Sequence, residues 1–230
     1  MKKRIAFIGA ILSLIPIGEP LIIKTGVILS STGLILSLSE KVYARDNSYY
    51  FNRAYDKAES GDHYGAISDY TKAIEIDPYD ESAYYNRGIS KRKLNDYYGA
   101  ISDYTKAIEI NPNKHEAYYN RGNAKTAIKD YYGAISDYTK AIEINPNDAD
   151  AYFNRGNRKL NIKDYYGAIS DYTKVIEINP IDANAFYNRG ISKKNIGDLN
   201  GACSDWRQTV FISPNADAAK FLRNECSYAY

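Results

Sequence analysis

The sequence is short of the side chains on which most catalytic and metal sites depend. Its 230 residues include only two histidines and two cysteines. His63 and His115 occupy unrelated positions, and neither has a cysteine or carboxylate at metal-ligand spacing. A glycine-rich phosphate loop and a serine in a nucleophile elbow are also missing. We therefore expect no catalytic residue, no metal and no cofactor, and we predict that the protein is not an enzyme.

An excess of positive charge is missing as well. The chain has 30 Lys and Arg against 28 Asp and Glu, a formal net charge of +2, and the part after residue 44 is close to neutral. Nucleic-acid binding requires a basic face. The 24 tyrosines could stack on bases only beside a basic groove, and we predict that most of them lie in a core. We expect no nucleic-acid partner.

What the chain has in abundance is repetition. Prolines recur every 34 residues, at Pro78, Pro112, Pro146, Pro180 and Pro214. The segment YGAISDYTKAIEI begins at Tyr64, Tyr98 and Tyr132 and returns as YGAISDYTKVIEI at Tyr166. A fixed period of this length is typical of stacked-repeat proteins, so function has to be sought in columns of equivalent residues.

Each unit is predicted to be two helices joined by a tight turn. Apolar residues recur at steps of three and four residues in both halves of a unit. An aspartate such as Asp96 precedes the second half and suits a helix N-cap. The proline ends the second helix because it cannot extend the hydrogen-bonded ladder.

The pattern resembles the tetratricopeptide repeat. The residues that carry the resemblance share one frame: Tyr84, Gly88, Ala100, Tyr104, Ala107 and Pro112. It implies an all-α, right-handed superhelical α-solenoid of five helix pairs with a C-terminal capping helix, preceded by a hydrophobic N-terminal segment. We place units 1 to 5 at residues 47–80, 81–114, 115–148, 149–182 and 183–216, and the capping helix and tail at 217–230.

Every unit also pairs an arginine with an aspartate sixteen residues later, which predicts an ion pair between its two helices.

The resemblance also implies a concave groove lined by the first helices, where a protein or peptide partner binds. The aromatic column there is Phe51, Tyr85, Tyr119, Phe153 and Tyr187. The asparagine column is Asn52, Asn86, Asn120, Asn154 and Asn188. A mixed column is Tyr55, Ile89, Asn123, Asn157 and Ile191. We expect the asparagines to face solvent, either to bind the backbone of an extended peptide or simply as repeat consensus.

Residues 1–44 are predicted to be a signal sequence or a membrane anchor. A basic start precedes two apolar stretches, 5–17 and 21–38, each shorter than the roughly 20 residues of a spanning helix. Val42 and Ala44 have the spacing of a signal-peptidase site. A long cleaved signal, one uncleaved anchor and a two-helix hairpin all fit this pattern. The first two place the repeats outside the membrane, and the hairpin returns them to the cytoplasm.

The two cysteines lie near the C-terminal end of the stack. Cys203 and Cys226 form either a disulfide in an oxidising compartment or a pair of small buried side chains. With the cleavage site, a disulfide favours the periplasmic or extracytoplasmic side.

The sequence predicts a membrane-associated or exported scaffold that binds a protein partner, for instance during complex assembly. A self-associating array is the alternative, since near-identical units can stack end to end where their caps are weak.

Overall fold

The computed structural model describes residues 34–214 and 216–226, which form eleven helices and no strand. The helices are α1 (Leu34–Glu59), α2 (His63–Ile76), α3 (Glu81–Lys93), α4 (Tyr97–Ile110), α5 (His115–Ala127), α6 (Tyr131–Ile144), α7 (Ala149–Asn161), α8 (Tyr165–Ile178), α9 (Ala183–Asn195), α10 (Leu199–Ile212) and α11 (Ala216–Glu225). Helices pack in consecutive pairs, α1 on α2 through α9 on α10, and α11 packs on α10. The all-α fold of paired helices is confirmed.

The first helix starts earlier than the repeat pattern indicates. α1 begins at Leu34, well before residue 47, because residues 34–46 contain neither glycine nor proline to interrupt a helix. Ala44, the predicted cleavage position, lies within α1. Residues 1–33, which carry most of the predicted signal or anchor, lie outside the described residues. None of the helices described combines the length and apolar character needed to cross a bilayer.

Aspartate caps set the start of every second helix and of three first helices. The predicted caps of the second helices are confirmed: Asp96 Oδ1 accepts from the Gly99 N–H at 2.9 Å, and the other four units repeat this bond. Asp80, Asp148 and Asp182 cap first helices in the same way. These three caps were not predicted from the sequence.

The core consists of alanines and one large aromatic ring per unit. Tyr70, Tyr104, Tyr138, Tyr172 and Trp206 are fully buried on the second helices. A Cβ atom at Gly122 would lie only 2.8 Å from Cε1 of Tyr138. Glycine at this position therefore allows the ring to lie directly against the first helix.

The predicted arginine–aspartate pairs are confirmed in all five units. In unit 3, Asp137 accepts from Arg121 Nε at 3.0 Å and from Nη2 at 2.7 Å, and Lys125 Nζ lies 2.8 Å from its second oxygen. Arg121 Nη1 also donates to Thr105 of the preceding unit at 3.0 Å. The contacts of Lys125 and Thr105 with this ion pair were not predicted, although both residues recur every 34 positions in the sequence. Because the aspartate is almost fully buried and fully paired, this group is structural.

Candidate partner-binding face

The first helices meet one another along one side of the stack, where α3 contacts both α1 and α5 and α7 contacts α9. Side-chain hydrogen bonds join these helices: Asn120 to Tyr85, Asn154 to Tyr119, and Asn188 to Asn157. We call this side of α1, α3, α5, α7 and α9 the inner face. It brings together the three columns named from the sequence.

The aromatic column is partly buried and packs on the core rings. The Tyr85 and Tyr104 ring centroids lie 5.9 Å apart, as do those of Tyr119 and Tyr138. Phe51 and Phe153 contact Tyr70 and Tyr172 in the same way, and Tyr187 contacts Phe221 of α11. Burial raises the pKa of Tyr85, Tyr119 and Tyr187 above the ordinary tyrosine value. These rings are neutral, and only part of each is available to a ligand.

The expectation that the asparagine column faces solvent is wrong for the NH₂ groups of its central members. Asn120 Nδ2 donates to the Tyr85 hydroxyl at 2.9 Å, and Asn154 Nδ2 donates to the Tyr119 hydroxyl at 2.9 Å. Each bond crosses to the preceding unit, and both amides are partly buried. These asparagines therefore help to hold neighbouring units together.

The other members of that column bond elsewhere because the partner hydroxyl is missing. Phenylalanine occupies position 51 before Asn86, and position 153 before Asn188. Asn86 Nδ2 donates only to the Ser82 carbonyl of its own helix at 2.9 Å, a bond that Asn120 also makes, to the Glu116 carbonyl at 3.0 Å. Asn188 Nδ2 donates to Asn157 Oδ1 at 3.1 Å. Asn52 is exposed in unit 1.

The mixed column satisfies the buried tyrosines in the two central units. The Tyr138 hydroxyl donates to Asn123 Oδ1 at 2.8 Å, and the Tyr172 hydroxyl donates to Asn157 Oδ1 at 2.8 Å. In unit 2 the same position is Ile89, and the Arg92 guanidinium lies beside the buried Tyr104 hydroxyl instead. Burial raises the pKa of Tyr138 to about 12.

These internal hydrogen bonds determine which atom of each central asparagine amide faces solvent. Asn120 and Asn154 turn their NH₂ groups into the stack, and no described group donates to their Oδ1 atoms, which are not buried. Asn123 and Asn157 turn Oδ1 inward, and Asn123 also donates to the Tyr119 hydroxyl of its own helix. Units 3 and 4 thus each present an amide oxygen as an acceptor.

A different set of residues, not predicted as a surface, forms the outer side. Tyr64, Tyr98, Tyr132 and Tyr166 are 73 to 77 % exposed, one on each of the first four second helices. Their recurrence is visible in the sequence, but their exposure was not predicted because most tyrosines were expected to lie in the core. Unit 5 has Asn200 at this position.

The C-terminal end carries the two cysteines. The structure bonds Cys203 of α10 to Cys226, just after α11, with their Cα atoms 5.8 Å apart. Trp206 stacks on Phe221 at a centroid distance of 4.6 Å, and Lys194 pairs with Glu225 at 2.6 Å. α11 is therefore tied to unit 5 by covalent, aromatic and ionic contacts.

Within the described ranges, no cluster of three His, Cys, Asp or Glu side chains has the arrangement of a metal site.

Comparison with protein families gives one description, the tetratricopeptide repeat. Its models match residues 48–80, 82–114, 115–148 and 137–169. No curated protein matches the sequence.

Solved structures with the same fold cover most of the chain. A crystal structure of MamA protein is 25% identical with a TM-score of 0.71, over 79% of this chain and 97% of that one. A second MamA crystal structure is 26% identical with a TM-score of 0.68, over 73% and 96%. YrrB, described as a TPR protein with an unusual peptide-binding site, is 24% identical with a TM-score of 0.71, over 84% and 99%.

Proposed function

This chain belongs to the tetratricopeptide repeat family, and from that membership we propose that it binds a segment of a partner protein along its inner face. Proteins of this family are generally non-enzymatic interaction scaffolds. The observation that carries the proposal is the row of amide oxygens of Asn120 and Asn154, which no described group occupies, beside partly exposed aromatic rings. Neutral amides with aromatic surface favour a peptide segment over a nucleic acid, which requires basic groups. The peptide-binding site described for YrrB supports the same kind of ligand.

The proposed location is a membrane surface, reached through residues 1–44, with the repeats on the extracytoplasmic side. The Cys203–Cys226 bond supports this side, because disulfides persist in oxidising compartments. An anchor that forms a hairpin would instead leave the repeats in the cytoplasm. A partner in a membrane complex fits either topology.

End-to-end self-association is the weaker candidate because both ends depart from the residues that join interior units. At interior junctions a fully buried alanine such as Ala117 packs on Ala107 of the preceding unit. The equivalent of Ala117 in unit 1 is Tyr49, which is too large for that contact. At the other end α11 covers α10, and Arg207 replaces the threonine that elsewhere receives the arginine of the next unit. A second copy would bring two arginines together there.

Two double variants of the full chain test the proposal by capture of the partner from native membranes after crosslinking. The inner-face variant is Asn123→Ile with Asn157→Ile, which introduces the residue found at this position in units 2 and 5. The outer-face control is Tyr98→Asn with Tyr132→Asn, which introduces the residue found in unit 5. Both therefore use side chains that the fold already accepts.

We expect the inner-face variant to lose most of the captured partner and the outer-face variant to retain it, with the melting temperature of each measured alongside. Loss of capture only in the outer-face variant would contradict binding at the inner face.

A further inference from the structure

Two arginines on the first helices have no counter-charge in the described part of the chain. The arginine of each Asn-Arg pair binds an aspartate of its own unit. Arg92 of α3 and Arg158 of α7 have no such carboxylate, and the Nε atom of each is buried without a hydrogen bond to any described residue. Both side chains are only partly buried and therefore reach solvent. A partly buried, uncompensated charge costs stability, so the fold gains nothing from these two charges.

The repeat itself shows that neither arginine is needed for packing. The second helices of units 2 and 3 are identical in sequence, and that of unit 4 differs from them at one residue. In unit 3 the position of Arg92 is Thr126 and the position of Arg158 is Ala124. Small neutral side chains therefore satisfy the same surroundings. The two arginines depart from the repeat without a structural reason within the described residues.

Arg92 lies on the inner face. Burial raises the pKa of Tyr104, and the adjacent Arg92 guanidinium opposes that rise. The charge of Arg92 also acts on Tyr85, whose hydroxyl accepts the hydrogen bond from Asn120. The arginine is therefore beside the aromatic and asparagine columns of units 2 and 3.

Arg158 lies in the corresponding region of unit 4. Its Cζ atom is 5.5 Å from the ring centroid of Tyr131, at the start of α6 in unit 3. Burial raises the pKa of Tyr172, and the charge of Arg158 opposes that rise. The Tyr172 hydroxyl donates to Asn157 of the inner face. Each of the two arginines is thus near the hydroxyl end of a core ring, where that ring meets the inner face.

Unit 5 shows how a cation at the position of Arg92 is neutralised. Lys194 occupies this position, and its Nζ pairs with Glu225 of α11 at 2.6 Å. α11 packs on α10 as α5 packs on α4. Three periods before Glu225 the residue is Asn123, which carries no charge. Where unit 5 has a carboxylate for this cation, unit 2 therefore has none.

Two carboxylates do act on this part of the inner face, but neither pairs with Arg92. Burial raises the pKa of Tyr85, and the charges of Glu116 and Glu81 add to the rise. Glu81 pairs with Lys114 at 2.5 Å, and Glu116 is half exposed at the start of α5, 3.3 Å from His115. Arg92 remains without a counter-charge from the described residues.

We propose that the segment bound along the inner face is acidic, and that its aspartate or glutamate side chains pair with Arg92 of unit 2 and Arg158 of unit 4. This inference rests on the proposed function, because it names the ligand chemistry of the same face. A guanidinium and a carboxylate can form two parallel N–H···O bonds, which gives the pairing both strength and direction.

Calorimetric titration of the full chain in detergent tests this with three capped peptides of equal length, in which alanine alternates with glutamate, glutamine or lysine. Capping removes the terminal charges, so the peptides differ only in their side chains. We expect the glutamate peptide to bind about tenfold or more tightly than the glutamine peptide, because it alone supplies the missing counter-charges. The lysine peptide should show no binding at about 1 mM.

Two double variants locate the preference. Arg92→Thr with Arg158→Ala introduces the residues that unit 3 carries at these positions. The control, Lys106→Gln with Lys140→Gln, introduces the residue of unit 5 and removes the same charge from exposed sites on α4 and α6. We expect the arginine variant to bind the glutamate and glutamine peptides equally and the control to keep the preference. The melting temperature of each variant shows that it is folded.

The outcomes separate this inference from the function on which it rests. Equal binding of the glutamate and glutamine peptides by the wild type, or no binding of the glutamate peptide at about 1 mM, would overturn the acidic ligand. So would tighter binding of a single-stranded oligothymidylate of equal charge. A preference that persists in the arginine variant would overturn the role of the two arginines. In these cases the capture experiment still decides whether the inner face binds the native partner. Loss of the preference in the lysine control alone would contradict both.

Discussion

The Asn120 side chain donates a hydrogen bond of 2.9 Å to the hydroxyl of Tyr85, across the junction between units 2 and 3. Its NH₂ group therefore serves the stability of the array, and no described group donates to its oxygen, which is not buried. The side chain thus has one structural end and one end open to the proposed ligand.

Asn120→Ala is expected to lower the free energy of unfolding by about 1 kcal/mol, because the Tyr85 hydroxyl loses its donor. Tyr85→Phe should have a similar effect, and the double variant should lose less than the sum of the two. Asn86→Ala is the matched control, since position 51 is phenylalanine and Asn86 bonds only within its own helix. Urea unfolding measures all four. Equal losses for Asn86→Ala and Asn120→Ala, or strict additivity, would argue against the inter-unit bond.

The second prediction concerns Asp137, which is held by both Arg121 and Lys125. Asp137→Asn should destabilise the array by about 3 kcal/mol or more, because it leaves two partly buried cations without a counter-charge. Arg121→Met should have a smaller effect, because Lys125 remains paired with the aspartate. Lys140→Ala is the control: its pair with Glu143 is more than half exposed and should contribute less than about 1 kcal/mol. A larger loss for Arg121→Met than for Asp137→Asn would show that the lysine does not take part.

Stability should also fall in acid through Asp69. Burial alone would raise its pKa, but hydrogen bonds and charge from Arg53 and Lys57 outweigh burial and hold the pKa below the ordinary value of 3.8. A carboxyl group with a lowered folded-state pKa contributes stability above its unfolded-state pKa and loses it as the pH falls through the folded-state value. The stability gap between the wild type and Asp69→Asn should be constant above about pH 5 and narrow below about pH 4. Urea unfolding over this range measures the gap, and widening on acidification would contradict the prediction.

The fourth prediction is that Cys203 and Cys226 are bonded in the purified protein and hold α11 in place. Alkylation without reductant, read by mass spectrometry, should modify neither thiol. Replacing both with serine should cost about 3 kcal/mol, as expected for a closed loop with a separation of 23 residues. Trp206 is the only tryptophan, and it stacks on Phe221 of α11, so its fluorescence should shift to the red when α11 detaches. Reductant should shift the tryptophan fluorescence of the wild type to the red and leave that of the serine variant unchanged. Two alkylated thiols in the untreated protein would exclude the bond.

The repeat period was sufficient to predict the helix pairs, the caps of the second helices and the arginine–aspartate pairs. These features depend on residues that recur in nearly every unit and act within one unit, such as Asp96 on Gly99 or Arg121 on Asp137. The start of α1 was not predictable in this way, because residues 34–46 lie before the first repeated motif and simply continue a helix.

The bonding of the inner-face amides could not be predicted from their column alone. Asn86 and Asn120 occupy the same repeat position, yet only Asn120 bonds to the preceding unit. The residue 35 positions earlier is phenylalanine for Asn86 and tyrosine for Asn120. Their orientation depends on a hydroxyl in the neighbouring unit, which becomes a contact only after the units stack. The outer tyrosines were missed for a similar reason: recurrence shows that a residue is repeated but does not show which side of the helix is buried.

Site-specific photo-crosslinking tests the central claim, binding at the inner face, most directly. A benzophenone amino acid replaces Ile89 or Asn123 on the inner face, and Tyr98 or Tyr132 on the outer face, in the full chain within its native membranes. The account predicts one partner crosslinked from both inner positions and from neither outer position. The same partner crosslinked from the outer positions and absent from the inner ones would contradict it.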